Sequence, residues 1–464
     1  MAGRRSPGVA YDRREKLATT VEGANSVRPD YVPAEDYISR EFAALEKERL
    51  WPRVWQVACR QEQIPQVGDQ LVYEICEDSI VVVRSAPDEI RAFYNACSHR
   101  GRMLATCERR SREFVCPFHG WRFNLKGECT HIPYFENWEG KMSLDEVGLT
   151  PVKCDTWGGF VFINLDPNCI PLKEFLGEAI DKIGGYEFEK QSFRWGAAVE
   201  TDANWKLTLE AFNEGYHVQT THAQMLQTFD DRSIGMAAGI HGYMKRDSES
   251  NGLGVPSVLL KKPQPKDSRP LILEYMREMT YDVRSIFSER DLAATARIMT
   301  ELPADSTPLE ALTAALKFRR EAAIAAGVGW PDMTPQQMAE NGSVWHIFPN
   351  LIVLVGPTAS LWYRARPIGN GDNPERCLFE FWALERYAPG FAPKPKIDYY
   401  SDYKDFTGLP PFLAQDYENL PYLQKGVRSR GFKGARTNPR FEGVITNFHR
   451  VVREMIGCEG ANES

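Results

Sequence analysis

Four residues constrain this chain more than any others: Cys97 and His99 in Cys97-Ser98-His99-Arg100-Gly101, and Cys116 and His119 in Cys116-Pro117-Phe118-His119. Sixteen residues separate the two pairs. Two thiolates and two neutral imidazoles in this order suit a [2Fe–2S] cluster with the cysteines on one iron and the histidines on the other. Such a cluster is easier to reduce than an all-cysteine one. The surrounding pattern reads as short strands: 79–84 and 90–95 about a turn at 85–89, then 113–115, then a hairpin of 121–125 and 128–132 about Lys126-Gly127. Each pair therefore falls on a loop between strands, where Gly101 and Gly120 let the backbone approach a bulky group. A Cys2His2 zinc site uses the same donors, but zinc fingers place both histidines after both cysteines.

A second constellation gives single electrons a destination. Asn204-Trp205-Lys206 precedes Glu210-Ala211-Phe212-Asn213-Glu214-Gly215-Tyr216-His217, and His222 follows five residues on. Two histidines and one carboxylate on one face of a metal leave other positions open, as in non-haem Fe(II) sites that bind O2 and substrate together. Histidines five apart miss the i, i+4 spacing of a helix, so they converge only if the helix is bent or widened between them. Asp416, in Ala414-Gln415-Asp416-Tyr417-Glu418-Asn419 after Pro410-Pro411, is the candidate carboxylate. Alone, the histidine pair reads equally well as two surface helix residues, and Asp416 as a solvated one.

Together these motifs resemble the large (alpha) subunits of Rieske non-haem iron oxygenases, the ring-hydroxylating dioxygenases and their demethylase relatives, from about residue 37 to 455. The resemblance implies that Cys97, His99, Cys116 and His119 hold a [2Fe–2S] cluster and that His217, His222 and Asp416 hold Fe(II). It gives Glu214 the role of bridging the two centres, where many members carry Asp. It implies an α+β fold: a β-rich Rieske domain plus a catalytic domain whose large antiparallel sheet wraps over helices in a helix-grip (START-like) arrangement. The expected division is an N-terminal helical segment at 1–46 packing on the catalytic domain, a Rieske domain at 47–166 and a catalytic domain at 167–464. It also implies a head-to-tail homotrimer, with or without a small beta subunit, in which His119 reaches Glu214 of the next chain.

Composition agrees. At 464 residues, with 43% hydrophobic and 11% aromatic content, the chain supports two packed domains. A net charge of −7 carries no nucleic-acid signature. No apolar run approaches membrane-spanning length, and the basic stretch 1–16 lacks the apolar core of a secretion signal. Ten cysteines at scattered spacings read as reduced thiols, so the cytoplasm is the expected compartment. In the C-terminal part, 344–355, 361–367 and 377–386 read as strands of an antiparallel meander. Thr307-Pro308-Leu309-Glu310 is a capping box opening a helix that stops near Gly327. The final helix, 441–456, puts Phe441, Val444, Ile445, Phe448, Val451, Val452 and Met455 on one stripe, leaving His449 off it as an expected surface residue. The long stretch between His222 and Ser343 reads as either a lid or a surface elaboration.

The functional expectation is a terminal oxygenase component that activates O2 and hydroxylates an aromatic or other hydrophobic substrate. Cis-dihydroxylation leads, with monooxygenation or O- or N-demethylation as the alternative. An electron-carrier subunit without oxygenase activity is the alternative of another class. Phe212, Met225, Phe229, Trp345 and Ile347 are candidate pocket residues. No Gly-x-Gly-x-x-Gly opens a helix after a strand, so electrons are expected from an external NAD(P)H-dependent reductase, directly or through a ferredoxin.

Overall fold

The computed structural model describes residues 31–458 except positions 231 and 251, so the 1–16 stretch and most of the 1–46 segment lie outside the described residues. The chain forms two compact units. One comprises Ala44–Phe175 with Ile368–Asp372; the other comprises the described residues up to Ala43, Leu176–Pro367 and the described residues from Asn373 on.

In the first unit, seven strands form one sheet in the order Gln56–Arg60, Phe160–Asn164, Pro151–Trp157, Glu89–Tyr94, Asp78–Ala86, Asp69–Ile75 and Arg109–Arg110. A separate three-stranded sheet is made of Phe114–Val115, Arg122–Phe123 and Cys129–His131. The core beneath the cysteine–histidine loops is built from Val81, Val83, Phe93, Leu104, Phe114, Trp121 and Phe123. The side chain of Asn95 pins the exit of the first loop: its Oδ1 accepts from the amides of Leu104 (3.0 Å) and Ala105 (2.9 Å), and its Nδ2 donates to the Ala105 carbonyl (2.7 Å).

The second unit carries an eight-stranded sheet in the order Ser233–Ala238, His241–Arg246, Val344–Ile347, Leu351–Leu354, Ala359–Pro367, Cys377–Arg386, Gln191–Thr201 and Asp398–Tyr400. Every pairing is antiparallel except the last, where Ala197 faces Asp398 in parallel register. The run 344–355 is two strands rather than one. The chain reverses at Phe348-Pro349-Asn350, where Pro349 has no N–H to continue a ladder, and Ile347 then pairs back with Leu351. The helix Gly443–Ile456 lies on the first two strands at close range. A Cβ at Gly235 would fall 2.8 Å from the Gly443 nitrogen, and one at Gly242 2.7 Å from Val444 Cγ1. Only glycine allows that approach.

Five of the seven expected stripe residues, Val444, Ile445, Phe448, Val451 and Val452, are buried on this helix, while Phe441 precedes it and Met455 is half-buried. His449 corrects the expectation of a surface residue. It is 2% exposed, because the helix is covered on its second flank by Glu35–Ile38 and Trp205–Glu210. Its Nε2 lies 2.5 Å from Glu210 Oε1 and its Nδ1 3.4 Å from Asp36 Oδ2, while the Tyr37 hydroxyl donates to Glu210 Oε2 (3.0 Å). The stretch after His222 forms its own small core around Ile272, Ile298, Ala311 and Phe318, and the Thr307 capping box opens the helix Pro308–Ala325. No described helix is long and apolar enough to cross a membrane.

Candidate active site and metal centres

In the first unit the two cysteine–histidine loops close in the same way. The Cys97 amide donates to the Arg102 carbonyl (2.9 Å) and the Gly101 amide to the Cys97 carbonyl (2.8 Å); Cys116, Trp121 and Gly120 repeat this at 2.8 and 3.0 Å. Gly101 and Gly120 both have φ of +74°, and a Cβ at Gly101 would meet no protein atom within 4 Å. Both glycines take up the left-handed turn that favours glycine. Cys97 and Cys116 are buried, and the His99 and His119 rings meet edge to face with centroids 4.7 Å apart. His99 is stacked on Trp121, and its Nδ1 is buried without a hydrogen-bond partner. Burial, then the charges of His119 and Arg100, lower its pKa, which keeps the imidazole neutral as a metal ligand must be. Two thiols, two imidazoles and an orphaned buried ring nitrogen fit a Rieske cluster.

In the second unit, Asn204 caps the helix Trp205–Glu210: its Oδ1 accepts from the Lys206 amide (3.0 Å), while its Nδ2 donates to the carbonyls of Tyr37 and Pro374. This helix ends before the histidines. His217 lies in a short 3₁₀ turn, Tyr216–Gln219, and His222 precedes a second, Ala223–Gln227. The expected bent or widened helix is thus replaced by two separate turns, and the break between them lets residues five apart converge. Asp416 comes from the helix Pro411–Val427, longer than the short segment expected from Pro410-Pro411.

The ligand atoms of His217, His222 and Asp416 all lie within 4.8 Å of one another. Asp416 Oδ1 is 3.1 Å from His222 Nε2 and 3.6 Å from His217 Nε2. Each ring is held by its other nitrogen: His217 Nδ1 is 2.5 Å from Glu214 Oε1, and His222 Nδ1 is 2.7 Å from Gln415 Oε1. With both Nδ1 atoms so engaged, both Nε2 atoms face Asp416, the orientation that outer hydrogen bonds impose on metal-binding histidines. Glu214 Oε2 also accepts from the amides of Tyr216 and His217, so the carboxylate caps the turn that carries His217. Burial alone would lower the His217 pKa, but the hydrogen bond and charge of Glu214, then the charge of Asp416, raise it. This local excess of negative charge, with an open face, fits a divalent cation.

Two cavities meet at His217 and Asp416. The larger, about 740 Å³, is lined by Glu210, Glu214, Tyr422, Phe432 and Glu442 among others. Burial and the nearby Glu214 and Glu210 carboxylates push Glu442 up to about 7, against a backbone hydrogen bond from Asn438. The smaller, about 250 Å³, is walled by Phe212, Met225, Phe229, Met279, Tyr363 and Phe412. Three of the five expected pocket residues therefore line it. Trp345 and Ile347 do not: alternation along Val344–Ile347 turns Val344 to the cavity and its neighbours away, with Trp345 stacked on Tyr243 and Ile347 1% exposed. Sequence reasoning also missed Phe412, one helical turn before Asp416, whose ring lies 4.9 Å from that of His222. It missed Gln415, Tyr275 and Tyr363 as well, for which only the fold provides a signal.

Residues 188–458, more than half of the chain, match the family described as ring hydroxylating alpha subunit (catalytic domain), and residues 54–151 match the Rieske [2Fe-2S] domain. The chain is 32% identical over 194 residues to the oxygenase subunit of carnitine monooxygenase from Escherichia coli, covering 41% of this chain and 52% of that one. It is 32% identical over 200 residues to the alpha subunit of 2-aminobenzenesulfonate 2,3-dioxygenase from Alcaligenes sp., covering 42% and 50%. It is 29% identical over 200 residues to the oxygenase subunit of glycine betaine monooxygenase from Pseudomonas aeruginosa, covering 42% and 46%. The matched stretch thus spans about half the length of these curated relatives. Among solved structures, the fold is similar to that of a quaternary ammonium Rieske monooxygenase (TM-score 0.61, 16% identity, 93% of this chain and 97% of that one). It is also similar to naphthalene 1,2-dioxygenase from Rhodococcus sp. (TM-score 0.59, 20% identity, 97% and 100%).

Proposed function

The chain belongs to the ring-hydroxylating alpha-subunit family, and from that membership we propose that it is the terminal oxygenase of a multicomponent system acting on a neutral, hydrophobic substrate. The observation that carries this reading is the convergence of His217, His222 and Asp416 at the head of an apolar cavity. Cys97, His99, Cys116 and His119 would hold the Rieske cluster, and His217, His222 and Asp416 the mononuclear iron. When bound, these centres supply single electrons and O2 chemistry respectively. The protein's own part is orientation and exclusion of water: Glu214 and Gln415 fix the two imidazoles through Nδ1, and the apolar wall shields the reacting face.

Cis-dihydroxylation of an aromatic ring is the first reading, supported by the aromatic lining and by a dioxygenase among the relatives. Monooxygenation or demethylation is the second, favoured by the carnitine and glycine betaine monooxygenases among them. Among the described residues, no Lys or Arg lines the smaller cavity, whereas Arg436 lines the larger one. Electrons would come from an external NAD(P)H-dependent reductase, directly or through a ferredoxin. A homotrimer, with or without a small beta subunit, would place His119 of one chain against Glu214 of the next; sedimentation giving a fully active monomer would refute it. Product analysis of an aromatic panel, with a surrogate reductase and 18O2, tests the oxygenase reading. Incorporation of label supports it, and reductase-dependent electron uptake without any oxygenated product contradicts it.

A further inference from the structure

The smaller cavity is lined by two tyrosines whose hydroxyls have no hydrogen-bond partner among the described residues. Tyr363, on the strand Ala359–Pro367, is 3% exposed, and its ring is held against Phe212 (centroids 4.6 Å), Phe381 (5.8 Å) and Phe379 (6.0 Å). Tyr275, on the helix Arg269–Tyr281, is held against Phe229 (5.8 Å) and Phe287 (6.5 Å). Buried tyrosine hydroxyls normally find a hydrogen-bond partner. These two make no hydrogen bond to any described group, yet neither is among the buried polar atoms sealed off without one. Both residues line the cavity, Tyr363 almost fully buried and Tyr275 half-buried. Burial raises the Tyr363 phenol well above its ordinary value, so its hydroxyl keeps its proton and can donate.

The rest of the wall sets the ligand's bulk. Phe212, Phe229, Phe412, Met225 and Met279 make it apolar and largely aromatic. An apolar cavity of about 150 Å³ already accepts benzene, so about 250 Å³ suits one or two rings. A fully apolar ligand would displace water from both hydroxyls and give nothing back, which is how a site built to hydrogen-bond rejects analogues lacking the group.

We propose that Tyr363 and Tyr275 select a neutral one- or two-ring substrate carrying a hydrogen-bond acceptor, a carbonyl or ether oxygen, over an unsubstituted hydrocarbon. This rests on the oxygenase reading for the identity of the cavity as a substrate site. The test is anaerobic calorimetric binding to the holoenzyme, comparing acetophenone with ethylbenzene, its near-isostere lacking the oxygen, and with L-carnitine. Tyr363→Phe is expected to weaken acetophenone about tenfold, the scale of one lost hydrogen bond, and to leave ethylbenzene unchanged or tighter. Tyr275→Phe is expected to act in the same direction, and it decides the matter if Tyr363→Phe loses ethylbenzene binding too. Acetophenone binding equally to the wild type and both variants would overturn the proposal, as would L-carnitine binding tightest or no binding by either aromatic probe. Because binding is read without turnover, a bound acetophenone that is never oxygenated would count against the oxygenase reading alone.

Discussion

Replacing Gln415 by Leu should loosen the mononuclear iron site without touching any of its three candidate ligands. Gln415 Oε1 accepts from His222 Nδ1 at 2.7 Å and from the exposed Gln224 Nε2 at 2.9 Å, and His222 itself is only 5% exposed. With Leu at this position, turning Nε2 toward the metal would commit the proton to an Nδ1 that has no acceptor. A buried donor left in this state costs about 1–3 kcal/mol. At about 1.4 kcal/mol per tenfold, that is about 5- to 150-fold in Fe(II) affinity. The penalty falls on the metal-bound state, because the metal-free imidazole is free to change tautomer. The assay is anaerobic Fe(II) competition against a chelator of known affinity, with the visible spectrum of the cluster as an internal control. Gln415→Glu keeps an acceptor on Nδ1 and should hold iron at least as tightly as the wild type. Wild-type affinity in Gln415→Leu, or equal weakening in Gln415→Glu, would refute the reasoning.

Three further outcomes are expected. His119→Ala or Cys97→Ser should remove the visible absorption of the cluster, and a purified His119→Ala with a wild-type spectrum would move that ligand elsewhere. Glu214→Gln should retain both metals, since an amide oxygen can still accept from His217 Nδ1, yet turn over at least about tenfold more slowly for want of the charge; iron reduction at the wild-type rate in single turnover would contradict this. For His449, burial alone would lower the pKa, but the charge and hydrogen bond of Glu210, with the Asp36 carboxylate 3.4 Å from Nδ1, raise it from 6.5 to about 8. A raised folded-state pKa stabilises fully below about 6.5 and is lost as pH climbs through about 8, worth about 2 kcal/mol. Urea midpoints should therefore fall between pH 6 and pH 9, and His449→Gln should flatten that slope.

How much was legible followed from how local each signal was. The cluster loops were readable because the candidate ligands, glycines and flanking strands all lie within a short stretch, and the strands and loops fall close to where they were read. The capping box at Thr307 and the stripe on Gly443–Ile456 were readable for the same reason, being periodic over one element. His449 was misread because a stripe reports one covered face, and this helix is covered on two. The convergence of His217 with His222 was anticipated, but through the wrong local geometry, because five-residue spacing does not distinguish a widened helix from two 3₁₀ turns. Trp345 and Ile347 were misassigned because the reading recognised a strand without knowing which of its faces meets the iron site. Asp416 was reached only through family resemblance, and Gln415 beside it went unread; both act across about 200 residues of chain, where no sequence periodicity operates.

Iron content measured beside the cluster spectrum tests the central claim most directly. The wild type should hold about three irons per chain, two in the cluster and one mononuclear. Asp416→Ala should hold about two, with the cluster absorption unchanged and no oxygenated product. Three irons and full turnover in Asp416→Ala, or loss of the cluster spectrum together with the third iron, would contradict the assignment of His217, His222 and Asp416 as a separate iron site.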